Sequence, residues 1–190
     1  GSGGVRYNDD EMPTLEQTLA SQDSLADHLD WQLKQEPLTD PERKLAEEII
    51  GNLEPTGYFN GEMLEELAQD ADLELDEAEA VLEVIQLFDP VGVAARSLKE
   101  CLLIQAKHYY PDEDVAHAII ERHLEHLEKK QVQPIMRDLG IEVADITDAV
   151  QLISSLEPKP GRRFQTEETH YITPDVYVLR VGDEYLVTLN

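Results

Sequence analysis

Three kinds of side chain in this sequence have types and spacings that could do chemistry. His123 and His126 stand three apart, with His117 a turn and a half earlier, and imidazoles on one helix face can share a metal ion. A closed zinc site takes four protein ligands, and no second cluster supplies the others, so exposed helix histidines are the expected outcome. The acidic neighbours Asp9-Asp10, Glu47-Glu48 and Glu65-Glu66 could be acid–base couples. A carboxyl group acquires that role in an apolar or like-charged cleft, and the residues around these pairs predict solvated faces instead. Cys101 is the single cysteine; on an apolar helix face it reads as a small buried hydrophobe, and without a partner it fits a reducing compartment. The sequence contains no G-x-x-x-x-G-K-[ST], G-x-S-x-G or H-E-x-x-H string, and its GSGG start precedes no strand–helix unit. These residues predict neither an enzyme nor a cofactor, a metal or a small-molecule substrate.

The segments that break ordinary rules are two Pro/Gly loops, FDPVGVAARS and LEPKPGRRF. Each sets apolar residues against stiff backbone and then brings arginines. Asp89, Pro90, Gly92 and Arg96 belong to the first, with Lys99 two residues beyond it, and Pro158, Lys159, Pro160, Gly161, Arg162 and Arg163 to the second. One reading is punctuation at helix ends, with cations at the negative end of the helix dipole. The other is a rigid surface displayed to a partner protein. On the second reading, exchanging Arg96 for Glu, or Arg162 and Arg163 together, weakens docking and leaves thermal stability nearly unchanged.

The elements that must position these loops are helical. Leucines at four-residue spacing run from Leu15 and Leu19 through Leu25, Leu29 and Leu33. Thr39-Asp40-Pro41-Glu42 is a start signal, with a capping residue, an early proline and Glu three positions after Thr39. Asn60, Asp76 (with Glu79) and Ser97 (with Glu100) are read as further starts, and Pro111-Asp112 as a restart. The pattern predicts four helices from about Pro41 to Tyr109 and three from about Asp112 to Leu156. It also predicts a hinge at His108–Asp114, because proline biases its predecessor away from helix. After Gly161, VYVLRV and EYLVTL around Gly182-Asp183 read as a β-hairpin.

LEVIQLFDPVG and QLISSLEPKPG echo each other, their prolines 68 residues apart, and each ends a short-helix, long-helix pair. The expected fold class is thus mainly α, with two small bundles containing helix-turn-helix-like pairs, followed by a short C-terminal β-hairpin region. The divisions are 1–13 as a leader, its first residues like an expression scar; 14–38 as an N-terminal helical segment; 39–110 and 111–164 as the two bundles; and 165–190 as the start of a β-containing connector that is cut short.

Charge bounds the partners. Fifteen Lys and Arg against forty-one Asp and Glu give −26. Residues 62–88 hold ten acidic and no basic side chains, and residues 138–156 hold four and none. Phosphate is repelled by such helices, and base reading needs Arg or Lys on the recognition helix. An independent helix-turn-helix DNA-binding regulator is the alternative that this charge map disfavours. No apolar run approaches the roughly 18 residues that span a bilayer, so no membrane partner is expected.

With those motifs in view, the chain resembles the core-binding domain of sigma-54-type sigma factors. The strings that carry the resemblance are IIGNL followed by GYF (Ile49–Phe59), LEVIQLFDPVGVAARSLKECLLIQ (Leu82–Gln105), ISSLEPKPGRRF (Ile153–Phe164) and YITPDVYV (Tyr171–Val178). The resemblance implies an all-helical domain in two subdomains that binds core RNA polymerase in the bacterial cytoplasm. For a full-length protein it implies promoter DNA with elements near −24 and −12, and an ATP-hydrolysing activator that remodels a closed complex. Val5–Met12 then resembles the end of an acidic linker. Strings resembling the family's activator-responsive and DNA-reading parts are not found in these residues.

Overall fold

The computed structural model describes residues 23–165 and the backbone of 176–181 and 184–189. The expectations for the leader, for Leu15 and Leu19, for Tyr171–Asp175 and for Gly182-Asp183 fall outside the described residues. Within them the order is α1 (Leu25–Leu33), α2 (Asp40–Gly51), α3 (Leu64–Asp70), α4 (Leu75–Gln86), α5 (Leu98–Tyr109), α6 (Asp114–Arg122), α7 (Leu124–Glu128), α8 (Val132–Leu139) and α9 (Val143–Ser154), with 3-10 turns at Gly61–Met63 and Arg162–Phe164. No helix among the described residues is long and apolar enough to cross a membrane.

The starts follow from local chemistry. Thr39 caps α2, its hydroxyl accepting from the Glu42 N–H while Glu42 returns the bond to the Thr39 backbone. Ser97 accepts from the Glu100 N–H at the start of α5, and Ser24 and Asp27 form a capping box for α1. Two expected starts differ. Asn60 caps the 3-10 turn that leads into α3. The helix expected to begin at Asp76 begins one residue earlier, because Glu74 and Glu77 make the capping box, which leaves Glu79 for another partner.

Apolar faces then build two cores. The first gathers Leu29 and Leu33 of α1, Leu45, Ala46, Ile49 and Ile50 of α2, and the inner faces of α3 and α4, with Phe59, Phe88, Val93 and Ala94 from loops. The second gathers Leu102 and Ala106 of α5 with Ala116, Ile119, Ile120, Ile135, Ile146, Ala149, Ile153 and Leu156. Each fully buried Leu or Ile contributes about 2 kcal/mol relative to exposure. The sequence pattern puts α5 with the first bundle, but its buried leucine and alanine lie in the second core, whose wall they form against α6. The segment expected to hinge is therefore inside a core unit. The Tyr110 N–H donates to Ala106 (2.9 Å), and the Tyr110 carbonyl pairs with His117 Nε2 (2.9 Å). The span from Asp112 to Leu156 also holds four helices rather than three, because His123, at φ −129° and ψ 15°, separates α6 from the short α7.

The expected fold class is corrected at its C-terminal end. Helices make up both packed cores, and no strand joins the architecture of residues 23–165, so the expected β-hairpin region is not a part of that helical body. The extended stretches Val176–Val181 and Glu184–Leu189 run antiparallel, Val176 opposite Leu189, and pair only with each other. Two strands by themselves are marginal.

Candidate docking site

The two Pro/Gly loops meet. At the end of α4, Asp89 is held by α1 from every side: its N–H donates to Gln32 Oε1 (2.8 Å), its carbonyl accepts from Gln32 Nε2 (2.8 Å), and its carboxylate accepts from His28 Nε2 (2.8 Å). Arg163 of the second loop donates to the same carboxylate. Partial burial pushes the Asp89 carboxyl up, but the hydrogen bonds and charges of His28 and Arg163 outweigh it and hold the group below its ordinary range. Arg163 also lies over the Phe164 ring at 4.8 Å, and that ring packs 5.1 Å from His28.

A second fastening is backbone on backbone. The Gly161 N–H donates to the Thr56 carbonyl (2.8 Å), and the Tyr58 hydroxyl donates to the Pro158 carbonyl (2.5 Å). Burial, with Cys101 and Glu157 nearby, pushes the Tyr58 phenol up to about 12, so it stays a donor. The approach is so close that a Cβ on Gly161 would sit 2.4 Å from the Pro55 carbonyl oxygen and 2.7 Å from the Gly57 nitrogen. Gly57 itself has φ +94° and faces Gly161 in turn.

A third fastening ties the loop to α5. Gln105, only 2% exposed, accepts from the Glu157 N–H (2.8 Å) and donates to the Glu157 carbonyl (2.7 Å). It also donates to the Cys101 sulfur at 3.2 Å. Burial pushes the Cys101 thiol up, which removes thiolate chemistry there.

The residues singled out in the loops divide by what they touch. Asp89, Pro90, Lys159, Pro160 and Arg163 line one groove of about 460 Å³, with Tyr109, Tyr110 and Leu156 among its other walls. Pro90 follows a cis peptide bond. Gly92, at φ +88°, donates to the Gln86 carbonyl, and a Cβ there would meet Gln105 at 2.9 Å. Pro160 and Gly161 are buried, whereas Pro158, Lys159, Arg162 and Arg163 are exposed. Arg162 reaches Glu157 at 3.7 Å. Arg96 and Lys99 stand apart from the groove. Arg96 bridges Glu79 (2.7 Å) and Glu100 (2.8 Å), and these hydrogen bonds push its already high pKa further up. Lys99 is exposed and has no ion-pair partner among the described residues.

Sequence reading misses His28, Gln32, Tyr58, Gln105, Tyr109 and Tyr110. Gln105 is the findable one, since a glutamine on the apolar face of α5 must bury an amide and such groups demand partners. His28 and Gln32 carry no such signal. The histidines also differ from expectation. His123 is 7% exposed, paired with Asp138 (2.8 Å) and 3.1 Å from His126. Its hydrogen bond, with Arg122 beside it, holds the Asp138 carboxyl below its usual range. Among the described residues no three His, Cys, Asp or Glu side chains form a metal site.

Residues 14–190 match the family described as sigma-54 factor, core binding domain. The RNA polymerase sigma-54 factor of Salmonella typhimurium is 39% identical over 189 residues, covering 97% of this chain and 39% of that protein. The sigma-54 factor of Escherichia coli is 38% identical over 190 residues, covering 97% and 39%. That of Acidithiobacillus ferridurans is 37% identical over 193 residues, covering 100% and 40%. The chain thus spans about two fifths of the length of these relatives. With its paired Pro/Gly loops inside the matched span, this chain belongs to the sigma-54 factor core binding domain family.

Proposed function

We propose that this chain docks on core RNA polymerase as the core-binding part of a sigma-54-type transcription initiation factor, acting by contact and not by catalysis. The observation that carries the proposal is the family match over residues 14–190. The geometry suits it: two helical cores, joined through the loops at Asp89 and Gly161, give a stiff body whose surface can be complementary without reordering on binding. Asp89, Arg96, Pro158, Lys159, Arg162 and Arg163 of the loops and Lys99 just beyond are all exposed. Of these, Lys99, Pro158, Lys159 and Arg162 have side chains that tie neither loop to another element and so are offered to a partner. Asp89, Pro90, Gly92, Arg96, Pro160, Gly161 and Arg163 serve by holding the loops. In the longer protein this docking would bring polymerase to promoters with −24 and −12 elements, under an ATP-hydrolysing activator, in the bacterial cytoplasm.

The test is co-migration of the chain with purified core polymerase on size exclusion at micromolar concentration, without DNA or nucleotide. Retention of the two as one peak is expected, and separate elution at every ratio would refute the docking. The rival reading, a DNA-binding regulator, is opposed by the acidic stretch over α3 and α4, where residues 62–88 carry no Lys or Arg. Fluorescence anisotropy with a −24/−12 duplex at low salt is expected to show no sub-micromolar binding by this chain.

A further inference from the structure

We propose that the groove between the two Pro/Gly loops receives a single inserted residue of core polymerase, an aromatic or long aliphatic side chain with a carboxylate next to it in sequence. The proposal rests on the polymerase-docking reading and names the place and the chemistry of the contact. The groove, about 460 Å³, lies within the range of volumes that hold small ligands, and it is larger than one side chain needs. Its apolar walls are Pro90, Val91, Tyr109, Leu156 and Pro160. Tyr109 is 53% exposed and Tyr110 38%, two rings left open to solvent beside each other. Rigid aromatic rings around a recess are the kind of surface on which binding energy concentrates.

The rings are held in place. Tyr109 closes α5 and stacks edge-on with His108 at 4.9 Å. The Tyr110 hydroxyl lies 3.5 Å from Ser155 Oγ. The opposite wall is fixed by the Gln105–Glu157 pair and by the Gly161 contact. A recess with both walls fixed does not need to be ordered by its occupant, which lowers the entropic cost of filling it.

The charges select the occupant. Four charged groups line the groove: Asp89, Glu157, Lys159 and Arg163. Asp89 is taken by Arg163 and His28, and Glu157 faces Arg162. Lys159 alone has no carboxylate within ion-pair distance among the described residues. One unmatched ammonium beside an apolar recess calls for one carboxylate. A polyanion is disfavoured, since the chain as a whole carries −26.

The experiment is equilibrium titration of labelled 190-residue chain with purified core polymerase at physiological salt. The variants are Tyr109→Ala, Lys159→Glu, Lys159→Arg and the control Glu65→Lys/Glu66→Lys on α3. Tyr109 and Lys159 are exposed and lie outside both cores, and matched melting curves verify folding. Tyr109→Ala and Lys159→Glu are each expected to weaken binding about tenfold, as truncation of a central contact does. Lys159→Arg and the α3 control are expected to stay within about twofold of the parent, in keeping with near-neutral rim substitutions. Parent-like affinity in both groove variants, with the parent binding, would overturn the groove and leave the docking reading standing. No binding by the parent chain would instead refute the docking reading itself. A concentration-dependent dimer lost in Tyr109→Ala would assign the groove to a second copy of this chain and overturn the proposal.

Discussion

After α4 the chain from Asp89 to Ala95 turns into the first core, where Val93, Ala94 and Ala95 are fully buried and Gly92 closes the turn against α5. After α9 the chain from Glu157 to Phe164 turns outward and crosses to the other unit, where Gly161 meets Thr56 and Arg163 meets Asp89. Both loops come after a twelve-residue helix, and both hold a proline and a glycine. The residues just after the glycine set the two fates apart. Val-Ala-Ala gains by leaving water and becomes core, whereas Arg-Arg must keep its charged ends solvated or paired and so becomes a strap. The first loop is stabilised by burial within its own unit, and the second by contacts made with another.

The strap is most vulnerable at its closest approach. Gly161→Val places carbon 2.4 Å from the Pro55 oxygen, so the strap must lift from Thr56. A loss of about 3 kcal/mol, the upper range for forcing atoms into a filled space, is expected in urea denaturation. Hydrogen exchange should rise at the amide of residue 161, which donates to the Thr56 carbonyl. An unchanged midpoint would mean that the strap is not held there.

The inward loop should respond to volume instead. Val93→Ala removes two methyl groups from a fully buried site and is expected to cost about 2 kcal/mol. Pro158→Ala, at an exposed position of the strap, should change stability by less than about 0.5 kcal/mol. Equal losses in the two would erase the distinction between core and strap.

Arg96 tests the first loop at its exit. The sequence by itself predicts that Arg96→Glu leaves stability nearly unchanged. The structure overturns that, since the new carboxylate would face both Glu79 and Glu100 where a guanidinium now bridges them. A loss of about 1 kcal/mol is expected, the upper end for a partly exposed network, and it should shrink in high salt. A loss insensitive to salt would point to packing against Gly61 instead.

The smallest effect is expected at the ion pair between the loops. The Asp89 carboxyl is held below its ordinary value in the folded chain, so its contribution is present above the unfolded pKa of about 3.9 and fades as pH falls through the folded value. The group is exposed, and solvent screening limits the contribution to a few tenths of a kcal/mol. The stability difference between the parent and Asp89→Asn should therefore be present at pH 6 and shrink as the pH is lowered into the acid range. A constant difference across that range would remove the Asp89 charge as its source.

How much is legible in the sequence depends on the range of the interaction. Thr39-Asp40-Pro41-Glu42 and Ser97 with Glu100 are readable because a cap is made within four residues. Asp76 misleads because Glu74, a poorer capping type, takes the role one position before the helix. In the loops, the charge census is legible, but its use is not. Arg96 and Arg163 look displayed, and each is paired with an acid distant in sequence, Glu79 and Asp89.

The sequence alone determined the capped starts of α2 and α5, which faces are apolar, that the surface is acidic, and through its motifs the family. Those are local or compositional properties, carried by neighbours and by spacing. Only the tertiary structure decided that α5 belongs to the second core, that His123 is buried, and that Gly57 and Gly161 touch. It also decided that Tyr109, Tyr110 and Lys159 face one groove with Pro90. Those facts depend on which of several apolar faces pack together and how closely two backbones approach. Packing selects among faces by shape complementarity in three dimensions, for which one-dimensional spacing holds no record.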